Sequence, residues 1–212
     1  MTQPPRFSVI IPARDEERFI GRCLESIRVA GASYPDQLEV IVVLNRCSDR
    51  TEEIAHRFGA RTIREDARNL ARIRNAGARS ATGGILVTID ADSTMSPGTL
   101  TAIDQALSSN TTVGGGIDIR PERTSAGIKM TILLFSFFIL ITRLSCGLFW
   151  CYRKDFEKLG GFNENLVSAE DIDFARRLKA YGKREKSRSP RCGALTLSPP
   201  AANSMSLAIG AY

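Results

Sequence analysis

The sequence predicts an α/β fold, a doubly wound and mostly parallel sheet that is flanked by helices and followed by an irregular C-terminal tail. Short apolar runs rich in β-branched residues alternate with segments of helical periodicity through the first half of the chain, as expected for successive β-α-β units. The run at 38–44 is apolar over almost its whole length, which is typical of a strand buried on both faces of a parallel sheet. Polar residues directly follow several of these runs, at the edge where open α/β sheets bind ligands.

The first half of the chain supplies the regular part of this pattern. The first strand ends at Pro12, which has no N–H for a ladder. The helix that follows it carries one apolar stripe, and Pro97 occupies a favoured first position in a later helix. In chain order the predicted strands lie at 7–11, 38–44, 61–64 (a short edge strand) and 84–89, and the predicted helices lie at 16–29, 48–58, 69–80 and 96–107.

The second half is less regular. The helix at 126–143 is apolar on almost all faces, which favours contact with a second subunit or a membrane surface over burial in the core. Gly182 is expected to end the last helix, because glycine is common just after helix C-termini. Beyond Lys183 the sequence is rich in Ser, Pro and Ala without periodicity, so residues 184–212 are expected to form an irregular or truncated tail. The predicted strands here are 112–119 and 148–152, and the predicted helices are 126–143, 154–159 and 169–181.

Composition limits the partners and the compartment. The net charge of +6 suits phosphate-bearing ligands or an anionic surface, and because no zinc-finger or RNA-binding motif accompanies it, we expect no nucleic acid. The five cysteines form no C-x-x-C pair, which favours reduced thiols. The chain does not open with a signal-peptide pattern, and the apolar run at 130–142 is shorter than the ~20 residues that span a membrane. We therefore expect a cytoplasmic protein, with peripheral contact at the inner membrane face as the alternative.

The most informative position is the acidic pair after the strand at 84–89. Side chains alternate along an extended chain, so Asp90 and Asp92 are expected to point to the same side. Two carboxylates at the carboxyl end of a strand can hold Mg²⁺ or Mn²⁺, which completes its shell with water and substrate phosphates. Asp is also common in turns without any ion, but the position after a buried strand favours a ligand site.

Four further residues have side chains that suit ligand binding or catalysis, and they lie at predicted strand ends or on predicted helices. Arg14 is difficult to explain as a helix cap, because a cation at a helix N-terminus is unfavourable. Asn45 follows the second strand and offers a donor and an acceptor, which suits the edge of a nucleobase. Arg74 lies near Gly77 on a helix and is placed to meet phosphate or base. Asp171 shares the apolar face of the last helix, where it can act as a general base or complement the helix dipole, and the spacing leaves both possibilities open.

Five motifs occur in one order and together resemble glycosyltransferase family 2, the inverting transferases with the GT-A fold that use nucleotide sugars. They are SVIIPARDEE at 8–17, VIVV at 40–43 with SDRT at 48–51, ARIRNAG at 71–77, DAD at 90–92, and GGFNE at 160–164 with ED at 170–171. The resemblance covers about residues 7–183 and implies a single GT-A-type domain over 1–183. Its nucleotide-sugar-binding half would be 7–110 and its acceptor-side half 111–183.

The resemblance also implies a role for each matching residue. Asp92 is expected to be the closer ligand of Mn²⁺ or Mg²⁺, with Asp90 beside it. Asp171 is implied as the catalytic base and Glu170 as the residue that orients it, so that an acceptor hydroxyl attacks the anomeric carbon in one inverting displacement. The implied acceptor is a sugar, a lipid-linked molecule or a small molecule, in cell-envelope or polysaccharide biosynthesis. The residues implied in nucleotide-sugar binding are Pro12, Arg14, Glu16, Asn45, Arg74, Asp90 and Asp92.

Departures from the family pattern leave alternatives. Leu44 and Asn45 stand where many members carry acidic residues, among them an Asp that recognises uracil. The donor base is therefore open, with a UDP-sugar as the expected donor and a GDP-sugar as the second choice. The unusual sequence after Lys183 keeps open a catalytically impaired nucleotide-sugar-binding domain. A nucleotidyltransferase is a further alternative, but it would require a glycine-rich loop that the segment 12–15 lacks. Residues 126–150 are the expected contact with a second copy of the chain, as a homodimer, or with a membrane.

Overall fold

A parallel sheet of four strands forms the centre of the structure. The computed structural model describes residues 3–109, 112–121, 147–188 and 207–209. Within the sheet Val9 lies beside Val40 on one side and Val87 on the other, so that the carboxyl ends of these strands meet at one edge. The strands, in the spatial order β3-β2-β1-β4, are β1 (Phe7–Ala13), β2 (Leu38–Leu44), β3 (Arg61–Arg64) and β4 (Ile85–Thr88).

Further strands extend the sheet beyond β4. Strand β7 (Gly147–Tyr152) pairs antiparallel with β4, and β6 (Gly114–Pro121) pairs antiparallel with β7. On its other side β6 runs parallel to β8 (Leu207–Ile209), which pairs antiparallel with the two-residue strand β5 (Ser93–Thr94). The predicted α/β fold with a mostly parallel sheet is therefore confirmed in the part of the chain that the structure describes.

Helices cover both faces of the sheet, because alternate strand residues point in opposite directions. The helices are α1 (Ile20–Ala30), α2 (Thr51–Arg57), α3 (Leu70–Ser80), α4 (Thr99–Ser108), α5 (Arg153–Lys158) and α6 (Glu170–Arg188). Val9 belongs to a core on one face, which α1, α2 and α4 share, and Ile10 belongs to a second core on the other face, which α3, α5 and α6 share. The approach of α3 is especially close, since a Cβ on Gly77 would lie 2.3 Å from Ile10 Cγ2.

Most element boundaries lie a few residues from those predicted from the sequence, and two of these differences have clear physical reasons. Strand β1 continues through Pro12. The Ile10 carbonyl accepts from the Ile89 amide, so Pro12 faces the same side as Ile10, where β4 has already ended and no donor is required. Helix α6 continues past Gly182 to Arg188, because Gly182 does not adopt the positive φ of a helix-ending glycine. A glycine within a helix costs only about 1 kcal/mol relative to alanine.

Several expectations concern residues that the structure does not describe. The predicted helix at 126–143 and its expected contact with a second subunit or a membrane lie outside the described residues. Most of the predicted irregular tail also lies outside them, although 207–209 form β8 rather than irregular chain. Among the described helices, none is both long enough and apolar enough to cross a membrane.

Candidate functional site

A cleft of about 350 Å³ opens at the carboxyl edge of the parallel strands. Its walls come from the segments after β1, β2 and β4 and from the start of α3. It brings together six of the seven residues that the sequence placed at a nucleotide-sugar site, and the seventh, Arg74, bonds directly to one of them. The lining residues are Pro12, Ala13, Arg14, Glu16, Asn45, Leu70, Ile73, Asp90, Ala91 and Asp92.

Hydrogen bonds between the loops after β1 and β2 fix one wall of this cleft. The Glu16 amide donates to Thr51 Oγ1 at 2.8 Å, and the Glu17 amide donates to Asp49 Oδ2 at 2.8 Å. In the opposite direction, the Ser48 amide donates to Asp15 Oδ1 at 2.7 Å. Asp15 therefore joins two loops across 33 positions of the chain.

One group of side chains in these loops has the spacing of metal ligands, with the ligand atoms of Asp15, Cys47 and Asp49 all within 4.8 Å of one another. The carboxylates in this group already accept backbone amides. Burial raises the pKa of the Cys47 thiol, which disfavours the thiolate that would bind a metal. We therefore interpret this group as a structural link between the loops.

A second acidic group lies inside the cleft. Burial raises the pKa of Glu16, with a further contribution from Asp92, and burial followed by the charge of Asp90 raises the pKa of Asp92. The Glu16 Oε2 atom is buried without a hydrogen-bond partner among the described residues. Crowded, partly dehydrated carboxylates favour a bound cation, and hard oxygen ligands suit Mg²⁺ or Mn²⁺. The residues present therefore fit the divalent ion that the family resemblance implies.

Arg74 links this acidic group to the start of α6. Its guanidinium donates from Nη1 to Glu170 Oε1 at 2.7 Å and from Nη2 to Asp90 Oδ1 at 2.9 Å. The Arg74 side chain is only 4% exposed and that of Glu170 only 8%, and the guanidinium lies 5.5 Å from the centre of the Phe162 ring. The sequence placed Arg74 at the nucleotide, and the structure shows that its nearest polar partners are two carboxylates of the protein.

Two asparagines hydrogen-bond the segment before α6, residues 162–166, to α3 and its N-terminus. Neither asparagine is among the residues that the sequence predicts at the site. Asn75 donates from Nδ2 to the Phe162 carbonyl and accepts the Phe162 amide at Oδ1, both at 2.9 Å. Asn69 donates from Nδ2 to the carbonyls of Glu164 and Leu166 at 2.9 and 3.0 Å. These contacts join positions roughly 90 residues apart, so the local pattern contains no indication of them.

Asp171 and Glu170 do not line the cleft. Asp171 is half-buried in the first turn of α6, and its Oδ1 accepts the Ile172 amide at 2.7 Å. Ala169, which directly precedes Glu170, has a φ of 61°. This left-handed conformation is unfavourable for a residue other than glycine. The acidic pair therefore begins at a strained point of the backbone, and Glu170 is connected to the cleft through Arg74.

Asn45 lines the cleft as a buried residue whose side chain is already hydrogen-bonded within the protein. Its Nδ2 donates to the carbonyls of Glu65 and Ala67 at 2.6 and 2.9 Å. Its Oδ1 accepts from Nη2 of Arg46 at 3.0 Å. Asn45 therefore presents only an oxygen that an arginine already contacts, although the sequence suggested both a donor and an acceptor.

Known proteins resemble this chain in sequence and in fold. The model of glycosyl transferase family 2 matches residues 8–160 of the chain, which is more than half of it. Two Bacillus subtilis (strain 168) proteins that are named as glycosyltransferases align with part of the chain. EpsH is 27% identical over 100 residues, covering 45% of this chain and 28% of its own length. YdaM is 33% identical over 104 residues, covering 44% and 24%. This chain therefore spans about a quarter of the length of these curated relatives.

Solved structures share the fold at low sequence identity. The mannosyltransferase PcManGT from Pyrobaculum calidifontis, in complex with GDP-Man and Mn²⁺, superposes with a TM-score of 0.71 at 24% identity, covering 98% of this chain and 57% of that one. TarS 1-349 of S. aureus, in complex with UDP, gives a TM-score of 0.66 at 19% identity, covering 82% and 55%. These likenesses establish the GT-A fold.

Proposed function

This chain belongs to glycosyl transferase family 2, and from that premise we propose that it moves a sugar from a nucleoside diphosphate sugar to an acceptor hydroxyl with inversion at the anomeric carbon. The observation that carries the proposal is the cleft at the carboxyl edge of the sheet, where six residues expected at a donor site come together from separate segments of the chain. Solved structures of the same fold that contain UDP, or GDP-Man with Mn²⁺, support a nucleotide-sugar ligand.

The acidic end of the cleft suits the diphosphate of the donor. Asp92, Asp90 and Glu16 offer the carboxylates that would hold Mn²⁺ or Mg²⁺, with Asp92 the closer ligand. A divalent ion in this place would neutralise charge on the departing diphosphate. Arg14 lines the same cleft and makes no ion pair with any described residue, so its guanidinium is available to the ligand. Pro12 and the neighbouring backbone of β1 form the surface on which the nucleoside would lie.

The acceptor side is assigned to the start of α6. Asp171 would take the proton of the acceptor hydroxyl as the oxygen attacks the anomeric carbon from the face opposite the leaving group, so that no covalent intermediate forms. Its Oδ2 makes no hydrogen bond with the described residues, which leaves one oxygen for this purpose. Glu170 would hold the first turn of α6 in place through its ion pair with Arg74.

The wider assignments follow the family resemblance. The acceptor would be a sugar, a lipid-linked molecule or a small molecule in cell-envelope or polysaccharide biosynthesis. The reaction would occur in the cytoplasm or at the inner face of the membrane. A second copy of the chain or a membrane surface remains the proposed partner of residues 126–150.

Calorimetric titration of nucleoside diphosphates with and without Mn²⁺, paired with a donor-hydrolysis assay, tests the proposal. We expect Mn²⁺ to strengthen binding and Asp92→Asn to weaken the Mn²⁺-dependent part about tenfold or more, since even changes to residues that only support a metal ligand typically cost about 10–100-fold. Asp36→Asn is the matched control, because Asp36 is exposed at the opposite end of β2. Binding without any turnover of a panel of nucleotide sugars would favour an inactive binding domain, and the absence of nucleoside diphosphate binding would contradict both functions.

A further inference from the structure

The donor cleft continues past Asn45 into a second groove of about 460 Å³, between the end of β2 and the start of α3. The groove shares Arg14, Asn45, Leu70 and Ile73 with the cleft, so the two form one continuous channel. The acidic pair lies at one end of this channel and the second groove at the other. The groove is completed by Arg46, Ala67, Arg68 and Asn69.

The two asparagines in this groove are engaged with the protein. Asn45 bonds through Nδ2 to two backbone carbonyls and through Oδ1 to Arg46. Asn69 bonds through Nδ2 to two carbonyls and through Oδ1 to the Arg72 amide at 2.8 Å. Neither side chain keeps an N–H for a ligand, and both oxygens already accept a hydrogen bond.

The arginines remain as the available polar groups. Arg14 and Arg68 are exposed and form no hydrogen bond or ion pair with another described residue, and Arg46 contacts only the Asn45 oxygen. Among the described residues that line the groove there is no carboxylate. Arginine donates and cannot accept, so the side chains of this groove complement a ligand whose edge carries acceptors.

If the proposed function is correct, the diphosphate lies at the acidic end and the base of the donor lies in this groove. We propose that the groove selects guanine, so that the donor is a GDP-sugar. Guanine places two acceptors, O6 and N7, on one edge, and arginine pairs with both. Uracil places an N–H between its two carbonyl oxygens, and that N–H requires an acceptor that the engaged Asn45 oxygen provides poorly. Adenine replaces O6 with an amino group and would face the arginines with a donor.

The apolar part of the groove agrees with a purine. Ala67, Leu70 and Ile73 line it together with the arginines, and a planar ring can rest on such a surface while guanidinium groups reach its edge. Leu70 is 37% exposed, unusual for a large apolar residue in this protein, and a bound base would cover it. The sequence left uridine as the default base with guanosine as the second choice, and the contacts of Asn45 and Arg46 are the reason for preferring guanine.

Calorimetric titration of the whole chain with GDP, UDP, ADP and 7-deaza-GDP in the presence of Mn²⁺ tests the base assignment. We expect GDP to bind about tenfold or more tightly than UDP or ADP, since one bidentate arginine–guanine contact discriminates to about that extent. We expect 7-deaza-GDP, which lacks the N7 acceptor, to lose most of this advantage. Binding of UDP tighter than that of GDP would overturn the guanine assignment and leave the proposed function intact, whereas no binding of any nucleoside diphosphate would overturn both.

Two substitutions separate recognition of the base from general attraction of phosphate. Arg46→Gln and Arg68→Gln should each lower the ratio of GDP affinity to UDP affinity and change UDP affinity by less than about twofold. Arg79→Gln is the matched control, because Arg79 lies on the same helix as the groove wall, is 61% exposed and pairs with Glu164 away from the groove. If both variants weakened GDP, UDP and inorganic diphosphate equally, the groove would be a phosphate site and the guanine assignment would be wrong.

Discussion

Replacing Arg74 with methionine should destabilise the fold far more than the loss of an ordinary surface ion pair. The substitution keeps an unbranched apolar side chain and removes the guanidinium, which neutralises Glu170 and lies 5.5 Å from the centre of the Phe162 ring. The Glu170 side chain is only 8% exposed, and an unpaired buried charge of this kind costs about 3–5 kcal/mol. The contact with Asp90 adds little, because the Asp90 side chain is 39% exposed and solvent screens that pair.

Urea denaturation followed by fluorescence of Trp150, the only tryptophan in the chain, measures this loss. Arg79→Met is the matched control on the same helix, and its cost should stay below about 1 kcal/mol because its ion pair is exposed. The double variant Arg74→Met with Glu170→Met should recover most of the stability, since apolar replacement of a whole buried ion pair is often neutral. A cost for Arg74→Met equal to that of Arg79→Met, or a double variant no more stable than the single one, would refute the reasoning.

Three further substitutions test separate parts of the structure. Gly77→Ala should cost about 1–3 kcal/mol in urea denaturation, because the new Cβ would lie 2.3 Å from Ile10 Cγ2 and overpack the core, whereas Gly98→Ala, with open space around it, should be nearly neutral. Asp171→Asn should leave nucleotide affinity unchanged and abolish sugar transfer, and normal transfer would remove Asp171 from the mechanism. Burial raises the pKa of Glu16 above its ordinary value of 4.5, so the folded state holds this proton more tightly than the unfolded state does. Without added metal, the free energy of unfolding of the unsubstituted protein should therefore fall, relative to that of Glu16→Gln, as the pH rises through the raised pKa. If the free energies of unfolding of the two proteins changed in parallel with pH, Glu16 would not lie in the buried environment that the structure gives it.

The local sequence pattern predicted the structure correctly where a feature lies within one element or follows directly from the geometry of the sheet. Strand β2 has the predicted bounds, 38–44, because its apolar run has no competing interpretation at that length. Asp90 and Asp92 lie at the carboxyl edge as expected, since a parallel sheet places the ends of all its strands on one side.

The local sequence pattern gave wrong element ends where a glycine or a proline is compatible with both an end and a continuation of the element. Gly182 was expected to end α6, but glycine adopts helical dihedral angles as readily as positive φ, and the helix continues. Pro12 was expected to end β1, but a proline ends a strand only if the neighbouring strand needs its N–H, and β4 has already ended there.

The sequence by itself determined the α/β class, the family and the set of residues that meet at the edge of the sheet, because these depend on periodicity and on short motifs in order. Only the tertiary structure decided what each side chain does there. It engaged Asn45 with the 65–67 segment and Arg46, and it buried Arg74 between Glu170 and Asp90. Side chains in this fold form hydrogen bonds with residues 96 and 97 positions away in the chain. A donor that bonds within the protein is no longer available to a ligand. That allocation depends on three-dimensional distance, which the order of residues in the chain does not specify.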